Sequence, residues 1–88
     1  MNQSILFPDI QDWDDALNGV KFPAQQAGAL IECVASLEYL SSLASEPLTT
    51  TQQALAVFEQ NRFEIEELAE QLIEEEEYNA EGLVELRA

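Results

Sequence analysis

Residues 52–78 read QQALAVFEQNRFEIEELAEQLIEEEEY, a stretch with neither glycine nor proline and with a strong helix former at most positions. At about 3.6 residues per turn, Leu55, Phe58, Ile65, Ala69, Leu72 and Ile73 share one face, at the i, i+3, i+4, i+7 spacing of an amphipathic helix. The opposite face carries Glu59, Glu66, Glu67, Glu70, Glu74 and Glu77. One long helix is therefore expected here. Whatever the rest of the chain forms must cover its apolar side.

The covering material is limited. The sequence has 88 residues, which suits a single domain over 1–88 with one modest core. An apolar fraction of 47% is too high for a disordered chain. One cysteine, Cys33, and no histidine exclude an internal disulfide and any Cys/His metal set. A lone free cysteine fits a reducing compartment, and residues 1–15 show neither a basic n-region nor an apolar h-region, so a cytoplasmic location is expected. Eighteen acids stand against Lys21, Arg62 and Arg87, for a formal net charge of −15. Three scattered cations cannot make the basic footprint that phosphate neutralisation requires, so neither direct nucleic-acid binding nor an anionic membrane surface is expected. Such acidity favours a basic protein partner through electrostatic steering, or else only keeps the surface solvated.

Ahead of the helix, the patterns are short. Residues 4–7 are largely apolar and close on Pro8, as an outer strand would. Residues 9–18, DIQDWDDALN, read as an acidic irregular segment anchored by Trp13, and Asn18-Gly19 marks a tight reversal. Residues 20–22 make a second short strand ending in Phe-Pro, and residues 25–28 a hairpin loop. Residues 29–35, ALIECVA, are the best strand candidate, with Leu30, Glu32 and Val34 on one face and Ile31, Cys33 and Ala35 on the other. Ser36 caps a short helix over 37–43, which Pro47 ends. Thr49, Thr50 and Thr51 are alternative caps for the long helix. Gly82 turns the chain, and residues 83–86 return as a last strand. The expected fold is α+β: a small antiparallel sheet of three to four short strands packed against one long helix, with one short helix beside it.

Phe7-Pro8-Asp9 followed by Trp13-Asp14, the run 20–24 as VKFPA, Cys33 in the third strand and above all residues 58–73, FEQNRFEIEELAEQLI, resemble the bacterial domain-of-unknown-function family 1488. The resemblance covers nearly the whole chain. It implies an α+β fold, and, the family having no assigned activity, it implies no catalytic residue and no cofactor.

Chemistry is hard to place in this composition. Ser-His-Asp or Cys-His catalysis needs a base that titrates near neutrality, and there is no histidine. Asp12, Asp14, Asp15 and Asn18-Gly19 suggest a calcium loop, but an EF-hand register begun at Asp14 puts Ala16 at the third position and Gln25 at the twelfth, and neither fits. No metal and no cofactor are expected. Two function classes stay open: a non-enzymatic protein-interaction module that docks a basic partner, and a small enzyme or ligand binder using buried carboxylates around Arg62. Self-association is compatible with the sequence, and nothing in it sets a copy number.

Arg62 is the residue to watch. At about 100° per residue it lies close to Leu55 in angle, at the apolar arc, so its guanidinium must find partners. Glu59 at i−3 and Glu66 at i+4 are in reach, and an acid from the sheet or from residues 9–15 could complete a fork. Arg62, Glu59, Glu66 and Trp13 are thus the candidate interaction or structural polar site. Either the arginine stem packs on apolar surface with its head held by the glutamates, or Arg62 organises a polar site that takes a carboxylate from a ligand or partner.

Overall fold

In the computed structural model, which describes residues 5–88, strands β2 (Gly19–Gln26) and β3 (Ala29–Ser36) pair along their full lengths as an antiparallel hairpin, from Gly19 opposite Ser36 to Gln26 opposite Ala29. Ala27 at φ 52° and Gly28 at φ 83° make the loop between them. Two successive left-handed residues match the twist of the flanking strands, and the loop expected over 25–28 is only these two residues, because Gln25 and Gln26 stay paired with Leu30 and Ala29. Ala24, Phe22 and Val20 stand opposite Ile31, Cys33 and Ala35, and this face is the floor of the core.

Strand β2 runs past the proline at which the sequence suggested it would end. Gln25 exchanges two backbone hydrogen bonds with Leu6, at 2.9 and 2.8 Å, so its polar groups point away from β3. Backbone direction alternates along a strand, which turns the nitrogen of Pro23 to that same outer side. The missing N–H falls in the gap between the Leu6 bridge and the end of β1 (Asp12–Asp14), where no ladder bond is lost.

Two expectations for the amino-terminal part change. Of the strand expected over 4–7, Ser4 lies outside the described residues, and Leu6 contributes a single bridge. The segment expected to be irregular over 9–18 instead holds β1, with Asp12, Trp13 and Asp14 opposite Lys21, Val20 and Gly19. Two aspartates in three residues carry no strand pattern of their own. The pairing comes from β2, and charge at an exposed edge discourages further strand addition. Asn18, at φ 53°, makes the expected reversal.

Helix α1 (Leu37–Ala44) begins as expected, with the Ser36 hydroxyl accepting the Tyr39 N–H at 3.1 Å. Thr50 caps α2 (Thr51–Gln60) in a reciprocal box with Gln53. The single long helix is in fact two, because Asn61 adopts φ −116° and ψ 22° between α2 and α3 (Arg62–Glu74). The Asn61 side chain donates to the Val57 carbonyl at 2.9 Å, the same acceptor its own backbone N–H uses at 3.0 Å. A short amide that competes locally for helical carbonyls is the sequence cause of the break. Beyond it, α3 stops at Glu74, and Glu76 takes φ 57°.

The last strand, β4 (Val84–Leu86), pairs with β3 in parallel, so the sheet is mixed and ordered β1-β2-β3-β4. Three intervening helices return the chain to the end of the sheet from which β3 started, which a hairpin could not do. Ala54, Val57 and Phe58 from α2 and Ile65, Ala69 and Ile73 from α3 close the core over the sheet, to whose buried face β4 adds Val84 and Leu86. Leu55 and Leu72, expected on the core face, are half-buried at its rim, while Ala54 and Val57 take the inner positions.

Cys33 is fully enclosed in this core, and burial, with a smaller contribution from the Glu32 charge, pushes its thiol from 9.0 up to about 12. Two results are expected. The folded protein should resist a thiol reagent near neutral pH and react fully in denaturant, because the reactive species is the thiolate. Stability linked to this thiol is complete below the unfolded value of 9.0 and is lost as pH rises towards 12, since the unfolded chain releases the proton first. Tyr39, raised by burial and then by the Glu64 charge, shifts stability in the same alkaline direction. Reaction of native Cys33 at the rate of a free thiol would show that the core opens far more readily than this packing implies.

Candidate functional site

The break at Asn61 sets two neighbouring side chains in opposite roles. Arg62, the first residue of α3, turns inward against the amino-terminal segment. Its Nε lies 2.8 Å from Glu66 Oε2, its Nη1 donates to Gln11 Oε1 at 2.7 Å, and its Nη2 donates to the Pro8 carbonyl at 2.9 Å. Asp9 Oδ1 stands 3.5 Å from Nη1, and the guanidinium carbon sits 5.5 Å from the centre of the Phe58 ring. Only 21% of the side chain is exposed. The guanidinium thus lies over the Phe58 ring with its nitrogens held by Glu66, Gln11 and the Pro8 carbonyl.

Glu66 and an acid of the amino-terminal segment fill the places expected of them. Glu59 does not touch the guanidinium and instead accepts from Gln11 Nε2 at 3.2 Å, so it holds the arginine at one remove. Trp13 takes no part in these polar contacts. Its indole N–H donates to Asp15 at 2.6 Å, and its ring lies with Leu37, Leu48 and Thr49–Thr51 at a separate surface hollow. Nothing in the local pattern singles out Gln11 or the Pro8 carbonyl. A neutral amide and a main-chain oxygen carry no charge pattern, and both become visible as partners only once β1 places their segment beside α3.

Phe63 turns outward and is 78% exposed. Glu66, Glu67 and Glu70 follow it at i+3, i+4 and i+7, on the same helical stripe. Together with Ile5 and Phe7 they line a groove of about 260 Å³ between α3 and the amino-terminal segment. Phe7 lies 6.3 Å from Phe22, and Phe22 lies 5.0 Å from Phe58, centre to centre, so the groove floor continues into the core as a row of rings. The helix pattern placed Phe63 off the apolar face. Which residues would flank it could not be read without the chain reversal between residues 5–7 and α3.

The acids are spread over the surface. Among the described residues no charged side chain is buried, and no group of three or more His, Cys, Asp or Glu is gathered where it could hold a metal ion. A ligand site built on buried carboxylates around Arg62 would need groups that are not found in the described residues. Lys21 meets Asp14 at 3.7 Å, Arg87 meets Glu85 at 3.9 Å, and Arg62 meets Glu66 and Asp9. Most of the eighteen acids thus have no cation beside them among the described residues. Moderate salt should accordingly raise the melting temperature over that in dilute neutral buffer, by screening like charges at helical spacing such as Glu66 with Glu70 and Glu70 with Glu74. A melting temperature that falls with salt would mean that the few attractive pairs outweigh the repulsion.

No helix among the described residues is long and apolar enough to cross a membrane. Among the described residues, a four-stranded mixed sheet covered by three helices, with an acidic surface and an arginine clasp, defines a small acidic α+β protein. The chain belongs to the DUF1488 family of proteins of unknown function, whose pattern matches residues 5–86. It is 41% identical over 84 residues to the "Uncharacterized protein YrdB" of Escherichia coli (strain K12), covering 96% of both chains. The protein of the same name from Shigella flexneri is 40% identical over the same length and coverage. A crystal structure of a DUF1488-family protein of unknown function from Shewanella loihica PV-4 superposes with a TM-score of 0.94 at 44% identity, over 99% of this chain and 96% of that one.

Proposed function

We propose that this chain is a non-enzymatic interaction module of the cytoplasm, and that the acidic face of α3 docks a basic protein partner. The observation that carries this reading is the unneutralised state of that face: of the α3 acids Glu64, Glu66, Glu67, Glu70 and Glu74, only Glu66 has a cation beside it among the described residues. Arg62 supports the same reading by default. Its Nε, Nη1 and Nη2 are each engaged within the chain, which leaves it a clasp in place of a ligand-binding group. An acidic surface of this kind attracts a positive one over roughly a Debye length, about 8 Å at physiological salt, and accelerates encounter.

The test is a pull-down with the tagged full chain, followed by binding of the purified partner. A basic partner should be recovered, its affinity should fall steeply from about 50 mM to about 300 mM salt, and the charge reversal Glu67→Lys with Glu70→Lys and Glu74→Lys should abolish binding while the fold is kept. Binding that ignores both salt and charge reversal would overturn the proposal.

A further inference from the structure

We infer that the groove between Phe63 and the amino-terminal segment receives an amphipathic cationic peptide segment of the partner, with one large apolar side chain seated among Ile5, Phe7 and Phe63 and lysine or arginine residues set against Glu67 and Glu70. This deepens the docking reading and rests on it. Three observations converge on the site. Phe63 is 78% exposed, a heavy apolar exposure for a ring lying beside two further apolar side chains. The groove, at about 260 Å³, falls below the roughly 300–1,000 Å³ of pockets that enclose drug-sized ligands. That volume suits a single anchoring side chain. The rim is acidic on the α3 side, and among the described residues no cation stands beside Glu67 or Glu70, whereas the charge of Glu66 is already shared with Arg62.

Charge decides between the possible occupants. A second copy of the chain meeting this face about a two-fold axis would bring Glu67 and Glu70 up against their own counterparts, on molecules that each carry a net charge of −15. An anionic lipid surface would meet the same repulsion. A helical segment with apolar residues on one face and lysines on the other is complementary in both respects. Phe7 and Phe63 would provide the aromatic walls at which binding energy concentrates, and the glutamates would set the register.

Binding is measured with the full chain and three synthetic peptides: an amphipathic one of leucine, phenylalanine and lysine, one of equal charge with serine and glycine in place of its apolar residues, and one with glutamate in place of its lysines. The amphipathic cationic peptide should bind about tenfold or more tightly than either control, and should shift the amide resonances of Phe7, Phe63, Glu67 and Glu70. Phe63→Ser should weaken it by about tenfold or more with an unchanged melting temperature, because the ring is already in water. Glu67→Lys with Glu70→Lys should have a comparable effect. If the charge-only peptide binds equally well and Phe63→Ser changes nothing, the groove assignment fails while the docking reading stands. If none of the peptides binds and the full chain recovers no salt-sensitive basic partner, the docking reading fails as well. A concentration-dependent dimer that Phe63→Ser disperses would overturn the inference in favour of a second copy.

Discussion

Phe58→Ala is expected to remove about 3–5 kcal/mol of stability. A domain of this length holds about 4–13 kcal/mol in all, so much of the population could unfold near 37 °C. Phe58 is fully buried, packs edge-on to Phe22 at 5.0 Å and lies under the Arg62 guanidinium, so truncation opens a cavity where α2, the sheet and the arginine clasp meet. Little can relax into that space, because Val20, Cys33 and Ile65 around the core are themselves fully enclosed. Denaturant unfolding would show a lower midpoint at a nearly constant slope. Leu72→Ala provides the contrast: half-buried at the rim, it should cost clearly less than either Phe58→Ala or Ile65→Ala. Equal losses at positions 58 and 72 would mean that the assignment of the core face is wrong.

Arg62→Met should lower stability by about 2 kcal/mol and release the amino-terminal segment from α3. Hydrogen bonds to charged groups contribute about 1.5–3 kcal/mol where they are enclosed. Here the guanidinium is 21% exposed and Asp9 largely so, and solvent screening reduces the sum. Methionine keeps most of the packing over Phe58 but abandons Glu66, Gln11 and the Pro8 carbonyl together. The distinguishing readout is local. Hydrogen exchange at Leu6 and Gln25, whose amides bond to each other's carbonyls, should accelerate well beyond the change at Phe22 or Cys33. Arg62→Lys should restore little, because one ammonium cannot reach three acceptors set around a planar fork. Near-neutral stability with unchanged exchange at Leu6 would show that the segment is held by its apolar contacts alone.

How far the sequence predicted these features follows from where each signal is stored. Strand β3, the Ser36 cap, the Asn18 reversal and the apolar positions Phe58, Ile65, Ala69 and Ile73 are local patterns, written in periodicity and in residues that favour one backbone conformation, and they were legible. Strand β1 was not, since Asp-Trp-Asp becomes a strand only through its partner. The break at Asn61 carried a local cue, a short amide within a helical pattern, but the cue was outweighed by strong helix formers on both sides. The direction of β4 depends on how three helices cross the sheet, which periodicity does not encode. At the candidate site, Arg62 and Glu66 were legible from their i, i+4 spacing, Glu59 was placed one contact too close, Trp13 belongs to another surface, and Gln11, Pro8 and the Phe63 groove needed the tertiary fold.

The parallel pairing of β4 with β3 also orders events while the chain is being made. Ala35 and its register partner Leu86 are separated by roughly 50 residues. At a synthesis rate of about 5–20 residues per second, β3 is exported roughly 3–10 s before the strand that closes its edge. Throughout that interval the β2–β3 hairpin can form, but the slots that Val84 and Leu86 fill lie open and one side of β3 offers unpaired backbone groups to any extended chain nearby. The nascent protein is thus most exposed to mispairing with a neighbour on the same message, and a pause in translation after α3 would lengthen that exposure without altering a single contact of the finished fold.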